Sequence, residues 1–104
     1  MGYKTHTQMA TTPTIYNKTL TLANTEYNVE LPLGTVYAEI QARTAHDVRV
    51  AWVTGKVAAS TAPYWTLKSG EFVLLKNVKL IDNRTIYLAS TDAATVVEIT
   101  AWSI

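Results

Sequence analysis

From Thr19 onward the chain is a succession of short runs rich in β-branched and aromatic residues, each ended by a polar or glycine-containing break. This punctuation constrains the fold more than any other feature. Val, Ile, Thr, Tyr and Trp favour a pleated backbone, where a branched or flat side chain packs well against its sheet neighbours. Thr19-Leu20-Thr21-Leu22 alternates strictly, which places Leu20 and Leu22 on one face. Tyr27, Val29 and Leu31 form the apolar phase of the next run. Pro32 to Gly34 then makes a turn, since Pro holds φ and Gly accepts positive φ at little cost. Val36, Ala38, Ile40 and Ala42 alternate with Tyr37, Glu39, Gln41 and Arg43. After a polar connection at Thr44 to Asp47, Val48, Val50 and Trp52 form another apolar phase.

Thr54 to Pro63 is the longest weakly patterned stretch and reads as a surface loop at the edge of the domain. Beyond it the runs Tyr64 to Leu67, Glu71 to Leu75, Val78 to Ile81, Thr85 to Ala89 and Thr95 to Trp102 follow in turn. Trp102 falls on the inward phase of the last run, as Trp52 does on its own. Helical periodicity is weak everywhere; Ala58 to Ala62 forms one turn at most. Short strands spaced roughly 8–12 residues apart indicate a sandwich or barrel and not βαβ units. The chain is therefore expected to be all-β, a single compact, jelly-roll-like β-sandwich of about eight short antiparallel strands. At 104 residues it suffices for one domain. Residues 1–16 are Thr-rich, contain Pro13 and carry few large aliphatic side chains, so they read as an extended N-terminal arm preceding a sandwich at 17–104. Fully extended, such an arm spans up to ~50 Å, enough to reach a neighbouring subunit.

Charged residues are only 16% of the chain, against a usual ~25%, and threonine takes their place. A Thr-rich strand surface opposes burial with little desolvation cost, which favours assembly with other subunits. The net charge is +1 with the signs interspersed, so no basic stripe marks a nucleic-acid partner; the densest group, Lys76, Lys79 and Arg84, reads as a solvated loop. Cysteine is absent, which removes disulfides and thiolate chemistry. The opening residues lack the apolar region of a secretory signal, and no run approaches the ~20 apolar residues of a membrane-spanning helix. A soluble protein made in a cytoplasm, with no membrane partner, is the expectation.

His6 and His46 stand apart, short of the three or four converging ligands of a metal site. His46 and Asp47 are neighbours in sequence, and side chains of adjacent extended residues point to opposite faces, which does not suit a catalytic pair. Glu30, Glu39, Glu71 and Glu98 fall mostly at outward positions, where carboxylates protect strands from edge pairing. The glycines are isolated, so no phosphate-binding loop forms. No catalytic residue, metal ligand or cofactor is assigned, and the chain is read as a contact protein and not an enzyme. Aromatic side chains are the best candidates for that contact, since exposed Tyr and Trp anchor interfaces or stack on sugars. Tyr37, Tyr64 and Trp65 are the candidates in the domain.

Leu31-Pro32-Leu33-Gly34-Thr35, Ile40-Gln41-Ala42-Arg43, Asp47-Val48-Arg49-Val50-Ala51, Thr85-Ile86-Tyr87-Leu88-Ala89-Ser90 and Val96-Val97-Glu98-Ile99 with Trp102 together resemble small structural proteins encoded beside the capsid genes of tailed bacteriophages. The resemblance covers about two-thirds of the chain and includes the cement, or decoration, proteins of phage heads. It implies a homotrimer on the outer capsid surface, with the major capsid protein as partner, made in the host bacterial cytoplasm and carried on the virion. It also implies an arm that orders on binding, which adds Thr11, Thr12, Pro13, Ile15 and Tyr16 to the candidate contact residues. The alternative within the same resemblance is a tail or fibre module that binds host-surface carbohydrate or receptor.

Overall fold

The computed structural model describes residues 13–76 and 85–103. Among these residues the alternating runs become eight strands: β1 (Thr14–Leu20), β2 (Tyr27–Glu30), β3 (Thr35–Ala42), β4 (Val48–Ala51), β5 (Trp65–Leu67), β6 (Phe72–Lys76), β7 (Thr85–Ala89) and β8 (Thr95–Ser103). Two four-stranded sheets result, ordered β1-β8-β3-β6 and β2-β7-β4-β5, with every pairing antiparallel. Pairing is nested: β1 with β8, β2 with β7, β3 with β6, β4 with β5. That is one long hairpin with its tip between β4 and β5, folded over so that its successive rungs alternate between the two sheets. The β3–β8 and β4–β7 pairings complete the sheets. The expected β-sandwich is thus present, and its strand order is that of a jelly roll.

Between the sheets lie the inward phases of the strands. Leu20, Ala38, Ile40, Val97, Ile99 and Ala101 from the first sheet meet Val29, Val48, Val50, Leu67, Ile86 and Leu88 from the second. Most of these have no exposed surface, and burying each such aliphatic side chain contributes about 1.5–3 kcal/mol. Turns follow their glycines: Gly34 has φ 88° in a turn closed by the Thr35 N–H donating to the Pro32 carbonyl at 3.2 Å, and Gly70 has φ 82° where the Glu71 N–H donates to Lys68.

Several expectations are corrected. The sandwich begins at Thr14 and not at residue 17, because β1 pairs with β8 from Thr14↔Ala101 to Leu20↔Thr95. An edge strand needs only backbone partners and a few inward side chains, here Tyr16 and Leu20, so its scarcity of aliphatics is no obstacle. Leu22 lies beyond the strand and is exposed, not beside Leu20 on the core face. A register shift between Thr35 and Tyr37 turns Val36 off the inward phase, and Thr35 is buried instead with its hydroxyl donating to the Pro32 carbonyl at 2.7 Å.

The stretch between β4 and β5 also departs from expectation. It is not a loop at the edge: it lies over the outer face of the second sheet, where Val57 is fully buried against Ala51 and Ala89 with Tyr64 and Tyr87 around it. Arg49, in the outward phase of β4, is buried beneath it. Its Nε donates to the Val57 carbonyl at 2.5 Å, and its Nη2 to Ala58 O at 3.3 Å and Asn24 Oδ1 at 3.1 Å. Among the described residues, one sheet is therefore covered on both faces and the other on its inner face alone. Residues 77–84, which include the run expected as a strand at Val78 to Ile81, lie outside the described residues, as does most of the arm.

Candidate interaction surface

The outer face of the β1-β8-β3-β6 sheet, which no other described residues cover, gathers the outward phases of four strands. Register places them in rows. Tyr37 is opposite Trp102 on β8 and Lys76 on β6; Glu39 is opposite Thr100 and Leu74; Gln41 is opposite Glu98 and Phe72. On β1, Ile15 stands opposite Thr100 and Asn17 opposite Glu98. Exposure here reaches 60% for Phe72, 64% for Ile15, 44% for Leu74 and 38% for Tyr37.

Trp102 belongs to this face and not to the core, contrary to its expected inward phase. β8 buries Thr95, Val97, Ile99 and Ala101, so the even-numbered residues, Trp102 among them, face outward. The Trp102 ring meets Tyr37 at a centroid distance of 5.1 Å and an interplanar angle of 30°, a separation at which aromatic pairs attract.

A polar cluster occupies the middle of the face. Arg43 Nε donates to Glu98 Oε2 at 2.7 Å, Arg43 Nη2 to Asn17 Oδ1 at 2.8 Å, and Gln41 Nε2 to Glu98 Oε1 at 2.7 Å. The hydrogen bond from Gln41, and then that from Arg43, hold the Glu98 carboxyl below its ordinary range by stabilising the charged form. A shallow depression of ≈ 250 Å³ beside this cluster is lined by Ile15, Asn17, Glu39, Gln41, Glu98 and Thr100. A more apolar one of ≈ 400 Å³ lies between Val36, Tyr37, Leu74 and Lys76.

The expected contact residues do not converge. Ile15 and Tyr37 share this face. Tyr16 turns inward, packs against the core and donates its hydroxyl to the Glu30 carbonyl at 3.2 Å. Tyr64 and Trp65 are in the other sheet's region, half-buried on opposite sides: Trp65 against the main core and Tyr64 against the cluster around Val57. With Ala51, Trp52, Val53 and Pro63 they line a third concavity of ≈ 220 Å³. Pro13 is exposed ahead of β1, and Thr11 and Thr12 lie outside the described residues.

Phe72, Leu74 and Trp102 were missed as surface residues. A signal for two of them exists, because Phe72-Val73-Leu74-Leu75 is apolar in both phases; at the edge of a sheet covered on one side, the other phase must be exposed. The chemistry of the remaining candidates is local. His46 Nδ1 lies 2.9 Å from Thr95 Oγ1, whereas the Asp47 carboxylate accepts from the Ser69 N–H at 2.7 Å and from Lys68 at 3.4 Å. The Ser69 N–H foremost, with Lys68, lowers the Asp47 pKa. Among the described residues no three His, Asp or Glu side chains group as metal ligands.

Among the described residues the strand order is that of an eight-stranded jelly-roll sandwich. No protein-family model, curated protein or solved structure matches it.

Proposed function

We propose that this chain is a viral structural protein, a cement protein that docks on the outside of a tailed-phage head and bridges neighbouring capsid subunits. One observation carries the reading: the outer face of the β1-β8-β3-β6 sheet exposes Tyr37, Phe72, Leu74 and Ile15, with the half-buried Trp102 against Tyr37, around a cluster of polar groups, Arg43, Glu98, Gln41 and Asn17, that hydrogen-bond one another. Aromatic and aliphatic anchors supply most of the energy of an interface. The Arg43–Glu98 pair is hydrogen-bonded within the chain, so covering it strands no lone charge. A jelly roll is compatible with this role but does not establish it, since the same architecture serves unrelated functions. The sequence resemblance to phage head proteins supplies the partner, the major capsid protein.

A second reading has its own observation. The concavity lined by Trp52, Tyr64 and Trp65 offers aromatic surface on which a sugar ring could stack, as a tail or fibre module would need. Mass spectrometry of purified virions separates the two. A copy number close to that of the major capsid protein supports the cement reading, a few copies per particle supports the tail, and absence from particles sinks both. Trp102→Ala should weaken attachment to the head by about thirtyfold or more under the first reading, and should leave sugar binding intact under the second, whose aromatic surface is Trp52, Tyr64 and Trp65.

A further inference from the structure

We propose that Glu39 sets the specificity of the outer face of the β1-β8-β3-β6 sheet, and that a protein partner docked there presents an arginine or lysine side chain to it. The inference rests on the reading of this face as the docking surface. Among the described residues the face carries four charged side chains, Glu39, Arg43, Lys76 and Glu98. Arg43 and Glu98 neutralise each other at 2.7 Å, and both Glu98 oxygens are taken, one by Arg43 and one by Gln41. Glu39 differs: it makes no hydrogen bond or ion pair with a described residue. Lys76 lies diagonally from it across β3 and β6, opposite Tyr37, and forms no ion pair with it.

Position makes this lone carboxylate consequential. Glu39 is half-buried near the middle of β3, in a row that runs Ile15, Thr100, Glu39, Leu74 across the four strands. The anchors that a partner must cover therefore surround it. Ile15 and Leu74 stand in its own row, the Tyr37–Trp102 pair in the next row on one side, and Phe72 in the next row on the other. Glu39 is thus at the centre of the patch and not on a rim that stays wet. Covering the patch takes the carboxylate out of water, and an ionised carboxylate left alone there cancels what an aliphatic anchor gains. A cationic side chain from the partner removes that penalty and supplies a charge-assisted hydrogen bond. The depression of ≈ 250 Å³ that Glu39 lines with Ile15 and Thr100 leaves room for it. A partner with an acidic or purely apolar surface at this point is disfavoured, which is how a centred charge confers specificity.

Glu39→Gln keeps the size of the side chain and removes its charge. Binding of the full chain to phage heads depleted of it should weaken by about tenfold or more in E39Q, and by about a hundredfold or more in Glu39→Lys. The loss of affinity from low to high salt should be shallower for E39Q than for the unsubstituted chain. The melting temperature of E39Q should equal or exceed that of the unsubstituted protein, because no bond within the chain is lost. Lys76→Gln, at the end of β6, should leave head binding unchanged. A lowered melting temperature in E39Q, or equal losses of affinity for K76Q and E39Q, would mean that the chain supplies its own cation, and would overturn the inference. Binding lost in Trp102→Ala but kept in E39Q leaves the docking face in place and refutes the partner's cation. No binding of the unsubstituted chain to heads refutes both.

Discussion

Replacing Arg49 by methionine tests whether the long connection between β4 and β5 is part of the fold. Met keeps most of the aliphatic stem's packing and removes the guanidinium. Three hydrogen bonds then disappear, two of them to the carbonyls of Val57 and Ala58 on the covering loop. A bond from a charged donor is worth about 1.5–3 kcal/mol, and a buried acceptor left alone costs about 1–3 kcal/mol. The loop has an escape, however: it can lift and return its carbonyls to water. Lifting exposes Val57, whose full burial is worth about 1.5–3 kcal/mol, and part of Tyr64. That escape caps the loss, so R49M should destabilise the protein by about 2–4 kcal/mol, a large share of a typical 5–15 kcal/mol. Urea unfolding followed by tryptophan fluorescence reads it directly, with Trp52 and Trp65 flanking the loop and the slope in denaturant unchanged. Val57→Ala alone should cost about 2 kcal/mol. Because both side chains hold one loop, the double variant should fall short of the sum by about 1 kcal/mol. A loss under about 0.5 kcal/mol for R49M, or strict additivity with V57A, would refute the argument that Arg49 pins this segment.

Three further outcomes are expected. Ile99→Ala should cost about 2–5 kcal/mol in denaturant unfolding, since Ile99 is fully buried, whereas Ile15→Ala, 64% exposed, should stay within about 0.5 kcal/mol; equal losses would contradict the assigned faces. Trp102→Ala should remove the ring contact with Tyr37, about 0.5–1.5 kcal/mol, together with the packing of a half-buried side chain, and reduce partner binding by about thirtyfold or more, as loss of an interface anchor does. Glu98 has a folded-state pKa below its ordinary 4.5, so the native state holds fewer protons than the unfolded one in that range. Its stabilisation is complete above the ordinary pKa and vanishes as pH falls through the lowered value. Glu98→Gln should therefore flatten the acid side of the stability profile, and melting temperatures measured from pH 6 down to pH 2 that fall as steeply as in the unsubstituted protein would contradict it.

Strand identity in this chain was local information. Period-two alternation with Gly34 and Gly70 at its breaks located seven of the eight strands within a few residues, because pleating and positive-φ turns depend only on near neighbours. β1 was displaced, since an edge strand held by backbone pairing needs little apolar pattern of its own. What lay beyond reach was the covering of each face. Arg49 reads as an outward polar residue until the β4–β5 connection folds over it. Trp102 reads as core until the burial of Ile99 and Ala101 fixes the parity of β8. Val36 reads as inward until a bulge hands its place to Thr35.

The sequence by itself determined that this protein is made of short antiparallel strands with one apolar phase each, because side-chain alternation is a property of the extended chain. Only the tertiary structure decided which second face the β4–β5 connection would seal. That choice rests on contacts between residues far apart along the chain: Arg49 with the carbonyls above it, and Tyr37 with Trp102 across two strands. Such contacts form only when the nested hairpin closes, so no local pattern records them.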